Sequence, residues 1–385
     1  MVPRLSVSLG SSDLISTQEA VDKSLNEALT STPSPTLAIV THTVDRNAAD
    51  VHGIIRKRLP DVQIHGATTC GALLSNTGAI PNGVGILLID NQDMAAASSN
   101  LETCDAKEAT NRVAARLRAQ IGDVSNILLA TSPGIEEEVI DCFSAILPNA
   151  RIFGGSAADN TVAGEWSLLS EDGVFSAGLS AVGMKADVSF GSCLLPPYEK
   201  GDQFATITKC QGRVIYELDG RTASEVLREW VGDSIEQQSK NGGQVIIECA
   251  SFPLGVERVS GGWIAIHAAE ITPTGGVGVF AEVKEGDKLN VMRKMGGGDS
   301  ATAASIGIEQ AYNQALKQGG LTNPRAGVLI YCGGLSIAVG DKLNDSLMPM
   351  KGKAPLLGMT AFGEQGNVAG SNLHSNLAVG VALFE

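Results

Sequence analysis

The sequence is short of several residue types, and each shortage removes a class of function. Aromatic residues make up only 4% of the 385 positions, so the core must be built from Ala, Val, Ile and Leu. Basic residues are outnumbered 28 to 42 by acidic ones, for a net charge of -14. Such a chain repels phosphate backbones and anionic membrane surfaces, which argues against nucleic-acid and membrane partners. The densest basic cluster, IIRKRLP at 54–60, reads as one solvated helix face. Five histidines and seven cysteines contain no CxxC pair and no ligand spacing, so no zinc or other metal site is expected. The odd, scattered cysteines suggest reduced thiols in an intracellular, cytoplasmic protein, with an organelle left open. There is no apolar run of about 20 residues, and the first residues lack a signal-peptide core. GGGDSATAAS at 296–305 opens a helix without a Walker lysine, and there is no GxSxG nucleophile elbow.

What is present is glycine, 45 residues of it, scattered without period, with 43% hydrophobic and 18% charged residues. This composition indicates a globular chain with many close backbone approaches. Three segments repeat one pattern: 35–89, then 125–160 with 175–184, then 326–366 with 376–385. Each opens with an apolar strand, expected near 36–41, 126–131 and 327–332, that ends in Thr41, Thr131 or Cys332. A helix-period stretch follows in the first two copies and a broken one in the third. A proline then closes the segment, at Pro60, Pro148 or Pro355. A second strand runs to Gly66, Gly154 or Gly358, placed 25, 23 and 26 residues after the first strand's end. Two residues later stands a hydroxyl, Thr68, Ser156 or Thr360. The unit reads β–α–β–β, and 244–283 looks like a degenerate fourth copy.

The expected fold class is mixed α/β: pseudo-repeated β-α-β-β units forming large sheets covered by helices, in two halves with a cavity between them. LLPPYEKGDQ at 194–203 reads as the linker, which divides the chain into 1–198 and 199–385. Asp219-Gly220 marks a turn before a helix from about Thr222. Asp299 is a candidate N-cap for a helix ending at Gly319-Gly320.

Six separated stretches resemble the FIST family in sequence and order. GATTCGALLSNTGAI and FGGSAADN resemble its N-terminal domain. VIYELDGRTASEVL, FPLGV, ITPTGGVGVFAEVKEGDKL and YCGG with GMTAFGEQG…HSNL resemble its C-terminal domain. The resemblance implies a sensory module that binds a small molecule, such as an amino acid or related small carboxylate. It also implies that haem is a possible cofactor in some members, and otherwise none. No kinase, cyclase, methyl-acceptor or F-box segment follows within the sequence, so signalling through a protein partner is expected.

The candidate site gathers where the glycine-rich stretches meet. Glu364, Cys332 and His374 fall in one motif block and are the candidate catalytic residues. Glu364 is expected at the rim of the cavity, where Gly358, Gly363 and Gly366 permit a turn, and it is suited to acid/base work or recognition. Cys332, before Gly333-Gly334, is a candidate nucleophile or pocket-lining thiol. The candidate ligand contacts are Thr68, Cys70, Ser156, Asp159, Asn160, Thr360 and Asn376, with Arg258 as partner of a ligand carboxylate. The leading functional reading is a small-molecule receptor. The alternative is a lyase or isomerase using Cys332, Glu364 and His374 in the same cavity. The third is a haem-based sensor.

Overall fold

In the computed structural model, which describes residues 5–258 and 261–385, the repeat is a unit of four sheet strands and two helices. Unit one runs β1 (Ser6–Ser12), α1 (Thr17–Leu29), β2 (Leu37–Thr43), α2 (Ala48–Arg58), β3 (Gln63–Thr69), a hairpin of β4 (Ala72–Ser75) and β5 (Gly78–Pro81), and β6 (Val84–Asp90). Unit two repeats this as β7 (Met94–Asn100), α3 (Ala106–Ile121), β8 (Asn126–Thr131), α4 (Glu136–Ile146), β9 (Arg151–Ser156), a hairpin of β10 (Leu168–Ser170) and β11 (Gly173–Phe175), and β12 (Gly178–Met184). In both, the second and third sheet strands are parallel and the last folds back antiparallel onto the second. Local chemistry starts the helices: Ser16, Asn47 and Asp105 each cap with a side-chain oxygen that accepts a backbone N–H three residues on.

Unit three is split by an insertion. It opens with β13 (Phe190–Leu195). The chain then forms a separate antiparallel sheet of nine strands: β14 (Tyr198–Gln211), β15 (Val214–Leu218), β16 (Arg221–Thr222), β17 (Gly243–Gln244), β18 (Leu254–Glu257), β19 (Trp263–Ile266), β20 (Ala268–Ile271), β21 (Val277–Val279) and β22 (Lys288–Lys294). Helices α5 (Ala223–Val231), α6 (Glu236–Asn241) and α7 (Ile246–Cys249) belong to it. The unit resumes with α8 (Ser300–Gly319), β23 (Ala326–Cys332), the short α9 (Gly333–Val339) and α10 (Leu343–Ser346), and β24 (Leu356–Ala361). It ends with a hairpin of β25 (Glu364–Val368) and β26 (Ser371–Ser375), then β27 (Val379–Phe384). Strand content exceeds helix content, 39% against 30%, as the expected mixed α/β class requires.

The three units exchange hairpins in a ring. The β4–β5 hairpin of unit one adds to the sheet of unit three beside β24. The β10–β11 hairpin of unit two adds beside β3, and the β25–β26 hairpin of unit three adds beside β9. Each sheet therefore has six strands, four of its own and two borrowed. Alternation along the strands sorts the side chains into two layers. Ile39, Leu128, Ile330 and Ala382 point into one central core shared by all three sheets. Ala38 and Val40 face α1 and α2, Ile127 and Leu129 face α3 and α4, and Leu329 and Tyr331 face α8.

Several expectations need correction. The repeated Gly66, Gly154 and Gly358 lie inside strands rather than ending them. A Cβ at Gly154 would overlap the Leu129 carbonyl of the parallel neighbour, and one at Gly66 would overlap that of Val40, so these glycines serve close strand packing. The segment 194–203 is not a loose linker: only Pro196-Pro197 separates β13 from β14. Nor is 244–283 a fourth copy, because its strands pair only antiparallel. The expected caps hold: Asp299 accepts from the N–H of Thr302 at 2.9 Å, and Gly320 ends α8 in the left-handed conformation.

Candidate functional site

The three parallel-pair strands β3, β9 and β24 converge at their C-terminal ends. There each donates one backbone hydrogen bond to the next unit. The N–H of Cys70 donates to the Thr360 carbonyl at 3.1 Å, that of Ala158 to the Thr68 carbonyl at 3.1 Å, and that of Phe362 to the Ser156 carbonyl at 3.3 Å. The donors lie four residues past the repeated glycines and the acceptors two past, so the bonds close a pseudo-threefold ring. Strand ends of α/β units are where ligands usually sit, and a cavity of about 200 Å³ opens beside this hub. It draws Cys70 from unit one, Glu136, Asn160, Val162 and Trp166 from unit two, and Cys332, Gly334, Ile337, Phe362 and Asn376 from unit three. Arg213, Ile246, His267 and Phe280 come from the insertion. A wider open groove of about 600 Å³ on unit two is lined by exposed residues such as Glu102 and Arg112 and holds none of the expected site residues.

Two polar clusters back the cavity. In unit two, Glu136 is 1% exposed yet satisfied: Oε1 accepts from Ser156 Oγ at 2.7 Å, and Oε2 accepts from the Gly134 N–H and from Arg213, each at 2.8 Å. Arg213 also donates to Glu137. Burial opposes the charge on Arg213, but the two carboxylates hold its pKa above the ordinary value. Burial likewise opposes the charge on Glu137, yet His374, Arg213 and the Glu282 N–H hold its carboxyl below the usual range. Glu136, Glu137 and His374 bring ligand atoms within 4.8 Å of one another. The guanidinium of Arg213 already occupies both carboxylates, so this cluster is a saturated ion pair rather than a vacant cation site.

In unit three, Cys332 ends β23 and lines the cavity, with Glu364 packed against its thiol. Glu364 is fully buried, which corrects the expected rim position. It starts strand β25 rather than occupying a turn, and Gly358, Gly363 and Gly366 do not have positive φ. Their use is close approach: a Cβ at Gly363 would overlap the His374 ring. Leu377 adopts φ 50°, an uncommon conformation for a bulky residue. This conformation aims two successive amides inward. The Leu377 N–H donates to Cys332 Sγ and the Ala378 N–H to Glu364 Oε2, both at 3.1 Å. Glu364 Oε1 has no aligned partner. Burial drives the Glu364 carboxyl well above its usual range. Burial and the neighbouring Glu364 drive the Cys332 thiol well above its own. Burial thus favours the protonated form of both groups.

His267, another residue of the cavity wall, sits between β19 and β20. Its Nε2 lies 2.8 Å from the Ile246 carbonyl, so Nε2 carries the proton and Nδ1 keeps a lone pair. Burial pushes its pKa down to about 4, which keeps the ring neutral. Nδ1 lies beside Gly334, where a Cβ would stand 2.5 Å from it.

The remaining expected residues divide. Cys70, Asn160 and Asn376 line the cavity, and Asn160 Oδ1 also accepts from the Gly71 N–H at 2.8 Å. Burial, followed by Asp159, raises the Cys70 thiol to about 11. Asp159 points away from the cavity and accepts from five backbone N–H groups over 161–165, which builds the loop that carries Val162. Thr68 accepts from the Ser167 N–H at 3.0 Å, and Thr360 receives Thr69 Oγ1 on its own N–H at 2.7 Å, so both brace the hub. Ser156 joins the Glu136 cluster. His374 does not line the cavity; its Nε2 donates to the Phe280 carbonyl at 3.1 Å. Arg258 lies away from the cavity and pairs with Asp287 at 3.0 Å. Glu136, Arg213, Trp166, Phe280 and His267 are site residues that carry no local sequence signal.

No helix among the described residues is long and apolar enough to cross a membrane. No curated protein matches the chain at a significant level. The sequence matches the family description FIST N domain over residues 36–221 and FIST C domain over residues 223–367. With both matches together spanning most of its length, the chain belongs to the FIST family, whose domains generally bind small ligands in sensing.

Proposed function

We propose that this chain is a small-molecule receptor whose ligand occupies the hub cavity between the three units and the inserted sheet. The observation that carries this reading is the convergence of all four parts of the molecule on one mostly apolar cavity with a few directed polar groups, the usual character of a ligand site. Its volume, about 200 Å³, lies below the usual range of about 300–1,000 Å³ for drug-sized ligands, which favours a compact metabolite. Amino acids and small carboxylates, the class implied by the family, would meet one cation there, Arg213, already paired with Glu136 and Glu137. A neutral ligand leaves that pair intact and is favoured. His267 Nδ1 would accept from it, and the amides of Asn160 and Asn376 would donate. The haem reading gains less support, since His374 lies outside the cavity and His267 commits Nε2 to a carbonyl.

The test is a thermal-shift and calorimetric screen of amino acids, small carboxylates and small neutral carbonyl compounds, on the wild type and on Ile337→Trp. Ile337 is 46% exposed at the cavity, so enlarging it blocks entry without disturbing the core. Binding by the wild type and loss in the variant are expected. Equal binding by both would place the ligand elsewhere.

A further inference from the structure

The receptor reading does not account for an uncharged acid locked behind a thiol. The Ala378 N–H that Glu364 accepts would be satisfied equally by a glutamine, so structure alone has no need of a carboxyl there. A buried carboxyl with one oxygen lacking a partner is costly. The strained Leu377 that orients both groups adds to that cost. A strained residue whose N–H points at a cavity-facing thiol, beside an acid with an unsatisfied oxygen, marks a place where chemistry is favoured over stability.

Resting on the proposed cavity site, we infer that the cavity is also a proton-transfer site for small uncharged carbonyl compounds, with Cys332 as acid and His267 Nδ1 as base. Both groups line the cavity and adjoin Gly334: Cys332 is two residues before it in the chain, and a Cβ at Gly334 would stand 2.5 Å from His267 Nδ1. Glu364 does not reach the cavity and acts through the sulfur as a positioning and relay residue. In the forward step, the S–H bond of Cys332 breaks as its proton passes to the carbonyl oxygen of the bound molecule. The O–H bond of Glu364 breaks as its proton replaces the one lost from sulfur. His267 Nδ1 takes a proton from the carbon next to the carbonyl, and the electron pair of that C–H bond forms the C=C bond of an enol. The reverse step returns the oxygen's proton to sulfur and sulfur's to Glu364, while the imidazolium gives a proton back to carbon. No oxidant, reductant or co-reactant is required. If the proton on His267 exchanges with solvent in between, the carbon acquires a solvent hydrogen. If it is returned to the other face or to a different carbon, the product is an isomer.

The site's uncharged state favours this class. Burial favours the protonated Cys332 and Glu364 and the neutral His267, and Arg213, the cation that lines the cavity, is already paired. A carbonyl has no charge to bury and offers an acceptor to the thiol.

The experiment uses the full chain in D2O with butanone, cyclohexanone and acetophenone as probes, following loss of the proton signals beside the carbonyl by NMR. Exchange above the buffer blank is expected for at least one probe. Cys332→Ala and His267→Asn should lower it by about 100-fold, the usual contribution of a positioned acid or base. Glu364→Gln should lower the rate at saturating probe about tenfold while half-saturation stays unchanged, and should alter its pH profile, which a merely structural role would not do. Thermal melting verifies that each variant is folded, and Cys332→Ser, which keeps a weaker acid, should retain part of the exchange. Wild-type exchange at the blank rate for all three probes would overturn the inference, as would full activity in folded Cys332→Ala. Binding of a probe without exchange would overturn the inference and leave the receptor reading standing. Failure of the whole ligand screen would remove both.

Discussion

Units two and three have the same backbone at the hub, yet their polar corners differ. In unit two the corner is charged and satisfied: Glu136 has a hydroxyl, a backbone N–H and Arg213. In unit three the corner is neutral and incompletely satisfied: the Glu364 carboxyl and Cys332 thiol share two amides, and Oε1 has none. Both carboxyl groups are almost fully buried. A buried charge is tolerated only when paired, and an unpaired acid gives up its charge instead. The difference separates a brace from a reactive corner. The Glu136–Arg213 pair ties unit two to the inserted sheet, while the Cys332–Glu364 pair keeps its protons beside the cavity.

The brace should be the more costly of the two corners to disturb. Arg213→Ala leaves Glu136 buried without its cation, and loss of about 3–5 kcal/mol in chemical denaturation is expected. A loss under about 1 kcal/mol would show that Glu136 is satisfied by Ser156 and Gly134 alone. Gly363→Ala drives a methyl group into the His374 ring between the two corners, with a cost of about 1–3 kcal/mol by the same measurement.

The reactive corner should behave in the opposite sense. Burial raises the folded pKa of Glu364 above the unfolded value. Its contribution to stability is therefore complete below the unfolded pKa of about 4.3 and is lost as pH rises toward the folded pKa. Glu364→Gln removes that loss. The variant should match the wild type near pH 4 and exceed it increasingly toward pH 8, by up to about 1.4 kcal/mol for each unit of upward shift. A constant difference across that range would mean Glu364 titrates normally. The smallest effect belongs to Arg258→Ala. Its pair with Asp287 lies outside the cavity, so ligand affinity should stay the same while stability falls by about 1 kcal/mol or less.

The repeat was legible in the sequence because its signals are local. Apolar runs, helix periods and the recurring glycines place β2, β8 and β23 within a residue or two, whereas the parallel pairing of each with the next strand is visible only in the structure. What lay beyond reach was long-range. The first strand and helix of each unit were not recognised as part of the repeat, because in unit three β13 and α8 are separated by about 100 residues of insertion. The hairpin exchange depends on contacts such as Gly358 with Leu74, far apart in the chain. Of the site, Cys332, Glu364, Asn160 and Asn376 were found because they flank the glycine-rich strand ends. Arg213 and Glu136, 77 positions apart, carry no shared pattern. Glu364 was misplaced to a rim because dense glycine reads as a turn, whereas here it lets Leu194 and His374 pack against backbone.

The reactive corner depends on Glu364 holding its proton at neutral pH behind the Cys332 thiol. Infrared difference spectroscopy of the wild type minus Glu364→Gln tests it without any ligand. A protonated carboxylic-acid carbonyl band is expected, present from pH 5 to pH 8 and shifted in Cys332→Ala, where its sulfur neighbour is gone. Carboxylate bands in place of it at pH 7 would rule out the relay, because an ionised Glu364 has no proton to give the thiol.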